Sequence, residues 1–268
     1  MSGRSVTIQT LAQLTSGQEW RLTLAHDRKD HLLLWITRGQ GRLLLDGRMR
    51  GVGTHNAIVV PSGTLFSLEL GRQAVAQSIV VPFSTELAWP QMACQLRIRE
   101  VSAMSELTGL IEAAAREQQT NRPLVETAMD AHGLLISIWL QRQLRLEDHA
   151  QKRPNAAARL TAQYAARISQ MFREPMSMSD HAEALGVTPT HLTRACKAAT
   201  GRTAADLLTE RVLYEARCLL TETDAAAQDI ARHLGFGSAA YFTRFIQHHT
   251  GVSPSVLRKS TKIPRDAA

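Results

Sequence analysis

A ten-residue frame occurs twice in this chain, fifty residues apart. It reads LTRACKAATG over residues 192–201 and FTRFIQHHTG over residues 242–251. A Leu-Gly pair lies shortly before each copy, at Leu185-Gly186 and at Leu234-Gly235. Glycine readily adopts the left-handed conformation that a sharp turn between helices needs. Each copy therefore predicts a short helix, a turn and a longer helix ending at Thr-Gly. Two helix-turn-helix units follow, at about 178–199 and 226–249.

Capping residues support these boundaries. Thr188 and Pro189 are suited to the N-cap and the first position of the longer helix in the first unit. Ser238 can cap the corresponding helix of the second unit, and Ser177 with Asp180 forms a capping box for the first unit. Residues 203–220 contain no Pro or Gly and predict one connecting helix. That helix would place the two longer helices in successive major grooves, roughly 34 Å apart.

The exposed side of each longer helix carries the candidate DNA contacts. An α-helix fits the major groove, and Arg makes bidentate contacts with guanine. The candidate DNA-binding residues are Thr190, His191, Thr193, Arg194 and Lys197 in the first unit and Ser238, Ala239, Ala240, Thr243 and Arg244 in the second. Each arginine alone could be an ordinary surface residue, but their equivalent places in a duplicated unit favour a shared role.

The distribution of charge also favours a polyanionic partner. Residues 1–150 carry 15 basic and 14 acidic side chains, whereas residues 151–268 carry 16 and 10. Nearly all of the net charge of +7 therefore lies in the second part. A basic excess of this kind favours nucleic acid over a membrane surface, although it also fits a merely solvated basic face.

The first part of the chain has a different pattern. Short β-rich runs separated by Gly, Pro, Asn or Asp extend from residue 19 to residue 82 and predict strands of a sandwich or small barrel. Asp46-Gly47 is a hairpin turn signal. Residues from about 104 to 119 and from 124 to 147 then predict two amphipathic helices, whose apolar faces could pack on the barrel or on a second copy. The expected fold class is α+β, with a β-barrel plus helices followed by an all-α domain.

The domain boundaries follow from these changes of pattern. We expect a barrel over 1–100, a helical dimerisation segment over 101–150, a linker over 151–160 and a DNA-binding domain over 161–262. No apolar run approaches the roughly 18 residues of a membrane span, and the first twenty residues lack an export signal. Three cysteines without C-x-x-C spacing argue against a disulfide framework, and Cys196 and Cys218 are expected to be small apolar fillers.

Metal chemistry is disfavoured. The candidate ligands in the first part are His26, His31 and His55, but no His-x-His pair occurs there. His248 and His249 are adjacent, and neighbouring side chains on a helix diverge by about 100°, which makes a shared ion difficult. We expect no cofactor and no metal. Trp35, Arg38 and Arg42 are candidates for contacts with a small effector in the barrel, since the pocket is expected to hold an uncharged or anionic molecule.

Residues 177–259, and IARHLGF followed by YFTRFIQHHTGVSP above all, resemble the DNA-binding domain of the AraC/XylS family of bacterial transcription regulators. The likeness covers about residues 160–260. THLTRAC with RVLYEARCLL resembles the subgroup that responds to hydroxybenzoate. The resemblance implies a cupin-like effector and dimerisation domain in the first part, where HLLLWITRGQGRLLLDGR is the most cupin-like stretch.

The resemblance also implies roles and partners. The family's base-facing positions fall on the residues Thr190, Thr193, Arg194, Ala239, Ala240 and Arg244. Gln247 stands where members often have Lys, so one phosphate contact is expected to be missing. Ala239 and Ala240 offer only methyl groups, so the second unit is expected to position the protein more than to specify sequence. The implied partners are promoter DNA, RNA polymerase, an effector such as an aromatic acid and a second copy of the chain, in the bacterial cytoplasm at the nucleoid.

The favoured hypothesis is an effector-responsive, sequence-specific activator without enzymatic activity. One alternative is a cupin-type binding protein or enzyme with an incidental helical tail. Bound metal in stoichiometric amount, or enzymatic turnover that survives deletion of the chain after residue 150, would support this alternative. A second alternative, non-specific coating of DNA, predicts no preference among duplexes at fixed salt.

Overall fold

The computed structural model describes residues 5–84, 87–120, 122–147 and 154–262, with side chains described as far as Lys259. We call residues 5–147 the strand-containing part and residues 154–262 the helical part. In chain order the elements are β1 (Thr7–Thr10), α1 (Leu11–Thr15), α2 (Trp20–Thr23), β2 (His31–Arg38), β3 (Gly41–Leu45), β4 (Arg48–Val52), β5 (Asn56–Val60), β6 (Phe66–Leu70), β7 (Val75–Val81), β8 (Cys94–Arg97), α3 (Val101–Gln119), α4 (Val125–Glu147), α5 (Ala156–Met171), α6 (Met178–Glu183), α7 (Pro189–Thr200), α8 (Ala204–Glu222), α9 (Ala227–His233), α10 (Ala239–Thr250) and α11 (Pro254–Lys262).

The strands form two antiparallel sheets. One has the order β1-β7-β2-β5-β8 and the other the order β4-β3-β6. The two are linked at one edge by Gln95, whose Nε2 donates to the Gly51 carbonyl oxygen at 2.9 Å and to Asn56 Oδ1 at 2.6 Å. The strands do not close into one barrel, so the cupin-like barrel stays a prediction. Strands in the first part and helices in the second confirm the α+β class.

The apolar run of β2 is buried on both of its faces. Leu32, Leu34 and Ile36 point into the space between the two sheets, whereas Leu33 and Trp35 point to the opposite side, where α3 and α4 pack. A strand covered on both faces needs a continuous apolar run rather than alternation. The two predicted amphipathic helices are confirmed, and they cover the outer face of the five-stranded sheet.

The first part departs from the sequence prediction at its short elements. Residues 19–26 were expected to form a strand, but Trp20–Thr23 is a helical turn, α2. Leu22 packs between the sheets while the ring of Trp20 meets Tyr214 at 5.4 Å. Over four residues, a helix and a strand can each present apolar side chains to two sides, so periodicity could not distinguish them. β1, α1 and β8 were not predicted.

The hairpin at Asp46-Gly47 is confirmed, with positive φ angles of 50° and 65°. Gly47 also fits a close contact between the two parts of the molecule. A Cβ atom there would lie 2.4 Å from the backbone nitrogen of Ala162 in α5. Helix α5 begins at Ala156, inside the range predicted as a linker, and Asn155 caps it by accepting from the Ala158 N–H at 2.9 Å. Residues 151–153 of that range lie outside the described residues.

Among the described helices, none is both long and apolar enough to cross a bilayer.

Candidate nucleic-acid interface

The first helix-turn-helix unit consists of α6, a turn and α7. The hydroxyl of Ser177 accepts from the Asp180 N–H at 3.2 Å, while the Asp180 carboxylate accepts from the Ser177 N–H at 2.7 Å. These hydrogen bonds lower the pKa of Asp180. Gly186 takes the left-handed conformation in the turn, with φ 67°, and Thr188 caps α7 with Pro189 at its first turn. The predicted capping box, turn glycine and N-cap are all confirmed.

The second unit repeats this construction with α9 and α10. Gly235 has φ 74°, and a Cβ atom there would lie 2.5 Å from the carbonyl oxygen of Arg173. The glycine is therefore required both by the turn and by the close approach of the chain after α5. Ser238 caps α10 by accepting from the Tyr241 N–H at 3.1 Å. This gives the Ser238 hydroxyl a structural role, in addition to the DNA contact predicted for it.

The repeated Thr-Gly at the end of each frame closes the longer helix in the same way. Thr200 Oγ1 donates to the Cys196 carbonyl oxygen at 2.8 Å and accepts from the Arg202 N–H at 3.1 Å. Thr250 makes the equivalent bonds within its own unit, to Ile246 at 2.8 Å and from Val252 at 3.4 Å. Each glycine that follows has a positive φ, 75° and 76°. The duplicated frame is thus a duplicated helix end.

One helix carries both units. The predicted connecting helix is α8, and it begins with a capping box between Thr203 and Asp206. Its buried residues Leu207, Leu213 and Leu220 contribute to the cores of the first and second units. Because α8 packs against both units, it fixes their relative positions.

The predicted DNA-binding side chains lie on the outer side of α7 and α10. The exposed members are Thr190, His191, Arg194 and Lys197 in α7, Ala240 and Arg244 in α10, and the cap Ser238; Thr193, Ala239 and Thr243 are half-buried. The side chains of Arg194, Lys197 and Arg244 make no hydrogen bond or ion pair with any residue that the structure describes. Their charges are therefore available to a ligand.

Tyr241 is a surface residue of α10 that is absent from the predicted DNA contacts. Its side chain is 55% exposed, although its ring approaches that of Phe236 at 5.8 Å. It occupies the place in α10 that His191 occupies in α7. Because His191 is a predicted DNA contact, its equivalence to Tyr241 is the sequence signal that identifies Tyr241 as a further candidate contact. The ring of His249 packs on that of Phe245 at 4.7 Å, and burial together with the charge of His248 lowers the pKa of His249.

The three candidate effector residues are not brought together. Trp35 is buried under α3, and its Nε1 donates to Thr108 Oγ1 at 3.2 Å. Arg38 and Arg42 are exposed, with Arg38 bonded to the Gln73 carbonyl oxygen and Arg42 paired with Glu69 at 2.8 Å. The space between the sheets is filled by apolar side chains of both. None of the three candidates lines a cavity described below.

Three of the cavities in the described structure lie at the rim of the strand-containing part and at its junction with the helical part. A cavity of 270 Å³ is lined by residues of α1, α2 and β6, including Leu22 and Leu68. One of 340 Å³ lies between residues 27–30 and α8, and one of 350 Å³ between the loops around Gly63 and Met92 and α5.

The candidate metal ligands are also separate. His26 is buried against Tyr214, the His31 Nδ1 accepts from the Ser62 N–H at 3.1 Å, and His55 lies 6.0 Å from the ring of Trp35. Within the described ranges, no group of three or more His, Cys, Asp or Glu side chains is placed to hold a metal ion. Burial raises the pKa of Cys196 to about 11 and that of Cys218 to about 12, which suits apolar fillers.

Comparison with known proteins agrees with this geometry. Residues 181–260 match the family model described as "Helix-turn-helix domain". This chain carries a helix-turn-helix domain. It is similar to "Uncharacterized HTH-type transcriptional regulator YfiF" of Bacillus subtilis, with 24% identity over 174 residues, 65% of this chain and 54% of YfiF. It is also similar to "Probable transcription factor PqrA" of Proteus vulgaris, with 35% identity over 79 residues, 30% of this chain and 65% of PqrA.

The chain thus spans about half the length of YfiF and just under two thirds of PqrA. Among solved structures, apo ToxT K231A from Vibrio cholerae is similar at a TM-score of 0.44 and 12% identity, covering 96% of this chain and 98% of that chain. The family model and the relatives support the AraC-type resemblance and a DNA-binding transcription regulator. They do not address the hydroxybenzoate-responsive subgroup.

Proposed function

We propose that this chain is an effector-responsive transcription activator that reads two successive major-groove segments with α7 and α10. One observation carries the proposal: Arg194 and Arg244 hold equivalent places on two units joined by α8, and both are exposed and unpaired within the described structure. Exposed arginines on the outer side of such helices match the geometry of major-groove readout.

The two units are expected to contribute differently. In α7 the exposed side offers Thr190, Arg194 and Lys197, which can bond to bases and phosphates. In α10 it offers Ala240, Tyr241 and Arg244. A methyl group can contact a thymine methyl, and the Tyr241 hydroxyl can reach a phosphate. The first unit would therefore supply most of the sequence preference, and the second would fix the position on the duplex.

The strand-containing part would bind the effector and a second copy. A cupin-like role is supported by its two antiparallel sheets and by the resemblance, and an aromatic acid is supported by the resemblance alone. Leu134, Leu135 and Ile138 form an exposed apolar patch on α4. A second copy of this helix would cover that patch, so Leu135→Glu should lower the dimer fraction in sedimentation velocity.

Activation, contact with RNA polymerase and action at the nucleoid are supported by the resemblance alone.

The test begins with selection of bound duplexes from a random library, followed by titration of the selected duplex. Arg194→Ala and Arg244→Ala should each weaken binding about 5- to 150-fold, equivalent to about 1–3 kcal/mol. Arg159→Ala is the matched control, because Arg159 is exposed on α5, outside the two helix-turn-helix units, and its replacement removes the same charge. Equal affinities for all four proteins would overturn the proposed contacts. Equal affinity for all duplexes at fixed salt would overturn sequence-specific reading.

A further inference from the structure

Two arginines lie next to each other on one face of β4, the edge strand of the three-stranded sheet. Arg48 and Arg50 are two residues apart, and alternate residues of a strand point to the same face. They pair across the hairpin with Leu45 and Leu43, whose side chains pack between the two sheets. Because residues opposite each other in two paired strands share a face, both arginines point to the inner side of the sheet.

This inner side reaches solvent at the edge where the two sheets approach each other. Gln95 of β8 crosses that edge by donating to the Gly51 carbonyl oxygen of β4 at 2.9 Å. Gln95 pairs with Ile58, whose side chain also packs between the sheets, so Gln95 lies on the inner side as well. We call the inner side of this edge, with Arg48, Arg50 and Gln95, the β4–β8 seam.

The guanidinium groups of both arginines are partly withdrawn from water. Each residue is half-buried, and the Nε atoms of Arg48 and Arg50 are buried without a hydrogen-bond partner in the described structure. Neither side chain forms an ion pair with a carboxylate of the described residues. Burial above all, and next the charge of Arg48, lowers the pKa of Arg50, and the charge of Asp46 offsets this only in part. The seam therefore holds two positive charges without a carboxylate in contact with them among the described residues.

Such an arrangement is costly unless an anion completes it. Two like charges on one face repel each other, and a buried N–H without an acceptor has lost its hydration. A guanidinium presents its donors in a rigid fork, which matches the two oxygens of a carboxylate. A carboxylate between the two groups would offset their repulsion and accept from the N–H groups that have no partner.

We propose that Arg48 and Arg50 bind the carboxylate of a small organic acid at the β4–β8 seam. Leu43, Leu45 and Val52 lie on the same face of the hairpin and suit the organic body of such a ligand better than a free inorganic anion. Apolar side chains fill the space farther in, so the ligand would lie at the edge of the sheets. Both arginines are partly exposed, which leaves the seam open to solvent.

The inference rests on the proposed function and deepens it, because it gives the effector a charged group and two residues that bind this group. Arg38 and Arg42, the arginines that the sequence indicates for this role, are engaged elsewhere. Arg38 donates to the Gln73 carbonyl oxygen, and Arg42 pairs with Glu69. A local pattern of residue types does not show which strand lies at the edge between the two sheets.

Titration of the full chain with sodium benzoate tests the site, with the ionic strength held constant by sodium chloride. The reporters are the Nε–H signals of Arg48 and Arg50 in nitrogen–proton correlation spectra, identified by their loss in Arg48→Gln and Arg50→Gln. In the wild-type protein both signals should shift as benzoate is added, up to tens of millimolar. Benzamide has nearly the same shape without the charge, and it should shift them much less.

Calorimetry of the variants measures the contribution of each arginine. Arg48→Gln and Arg50→Gln should each weaken benzoate binding about 10- to 100-fold, because each loses a positive charge and its hydrogen bonds to the carboxylate. Arg42→Gln is the matched control, since Arg42 lies on the neighbouring strand and outside the seam, and it should bind benzoate like the wild type. Arg50→Lys keeps the charge without the fork and should fall between them. This variant and the wild-type spectra still decide the matter if a glutamine variant does not fold.

The inference is overturned if benzoate leaves both Nε–H signals in place, or if the wild type and all variants bind benzoate equally. Sodium phosphate separates the two sources of an oxyanion, and tighter binding of phosphate than of benzoate would overturn the assignment to an organic acid. These titrations contain no DNA, so their outcome is independent of the proposed function. Failure of the chain to bind any duplex would refute that function, whereas benzoate binding would still establish the site.

Discussion

The imidazole of His26 stacks on the phenol ring of Tyr214, with the ring centroids 4.1 Å apart and the ring planes within 9° of parallel. The two residues come from different parts of the molecule. His26 Nδ1 is 2.9 Å from the Leu24 carbonyl oxygen and Phe66 covers the other side, while Nε2 has no partner in the described structure. Burial above all, with the charges of Arg28 and Arg211, lowers the pKa of His26 to about 3.

This pKa predicts a loss of stability on acidification. The folded protein holds His26 neutral, whereas the unfolded chain takes up a proton below pH 6.5. The contribution of His26 to the free energy of unfolding is therefore complete above pH 6.5. It is lost as the pH falls towards 3, by about 1.4 kcal/mol per pH unit. His26→Phe should flatten the decline of the unfolding free energy between pH 6.5 and 5, measured by urea titration. An unchanged slope would show that His26 is not buried as described.

The buried guanidinium of Arg211 has two acidic partners, Asp27 at 2.5 Å and Glu215 at 3.0 Å. Because it has two, we expect the effects of removing them on stability to be non-additive. Asp27→Asn and Glu215→Gln should each lower the free energy of unfolding modestly, because one carboxylate remains beside the guanidinium. The double variant leaves a buried guanidinium without an acid, so its loss should exceed the sum of the single losses by about 1–3 kcal/mol. Chemical denaturation of the four proteins at pH 7 gives the comparison. Additive losses would mean that the two acids do not substitute for each other.

Ser238 is expected to affect stability more than DNA affinity. Its hydroxyl is engaged as the N-cap of α10, and replacing such a cap with Ala costs about 0.5–2 kcal/mol. Ser238→Ala should therefore lower the melting temperature, whereas Ser84→Ala, at an exposed position in the strand-containing part, should not. At a temperature where both are folded, Ser238→Ala should weaken DNA binding less than Arg244→Ala does. The reverse order would identify Ser238 chiefly as a DNA contact.

Lys197 is predicted to contact phosphate, and Arg194 a base. Lys197→Ala should weaken binding to all duplexes by a similar factor and reduce the slope of log affinity against log salt by about 0.9. Arg194→Ala should relax the preference at one base pair. Titrations at four salt concentrations, on the selected duplex and on single-base variants of it, separate the two behaviours. A change of preference at one base pair in Lys197→Ala would contradict the assignment.

The sequence by itself determined the helical part to a large extent. The turn glycines Gly186 and Gly235, the caps Ser177, Thr188 and Ser238, and the Thr-Gly ends act within a few residues of the elements they define. Such local signals can be recognised from spacing alone, and duplication made them recognisable twice. The two amphipathic helices α3 and α4 were found for the same reason, because each is long enough for its periodicity to show.

Only the tertiary structure decided how the two parts meet. Asp27 and Arg211 are 184 residues apart, and the two faces of β2 look alike in sequence because different layers cover each of them. Short elements such as β1 and α2 are held by their neighbours rather than by their own periodicity. Burial and pairing between distant residues depend on how the chain packs, and a local pattern of residue types does not contain that information.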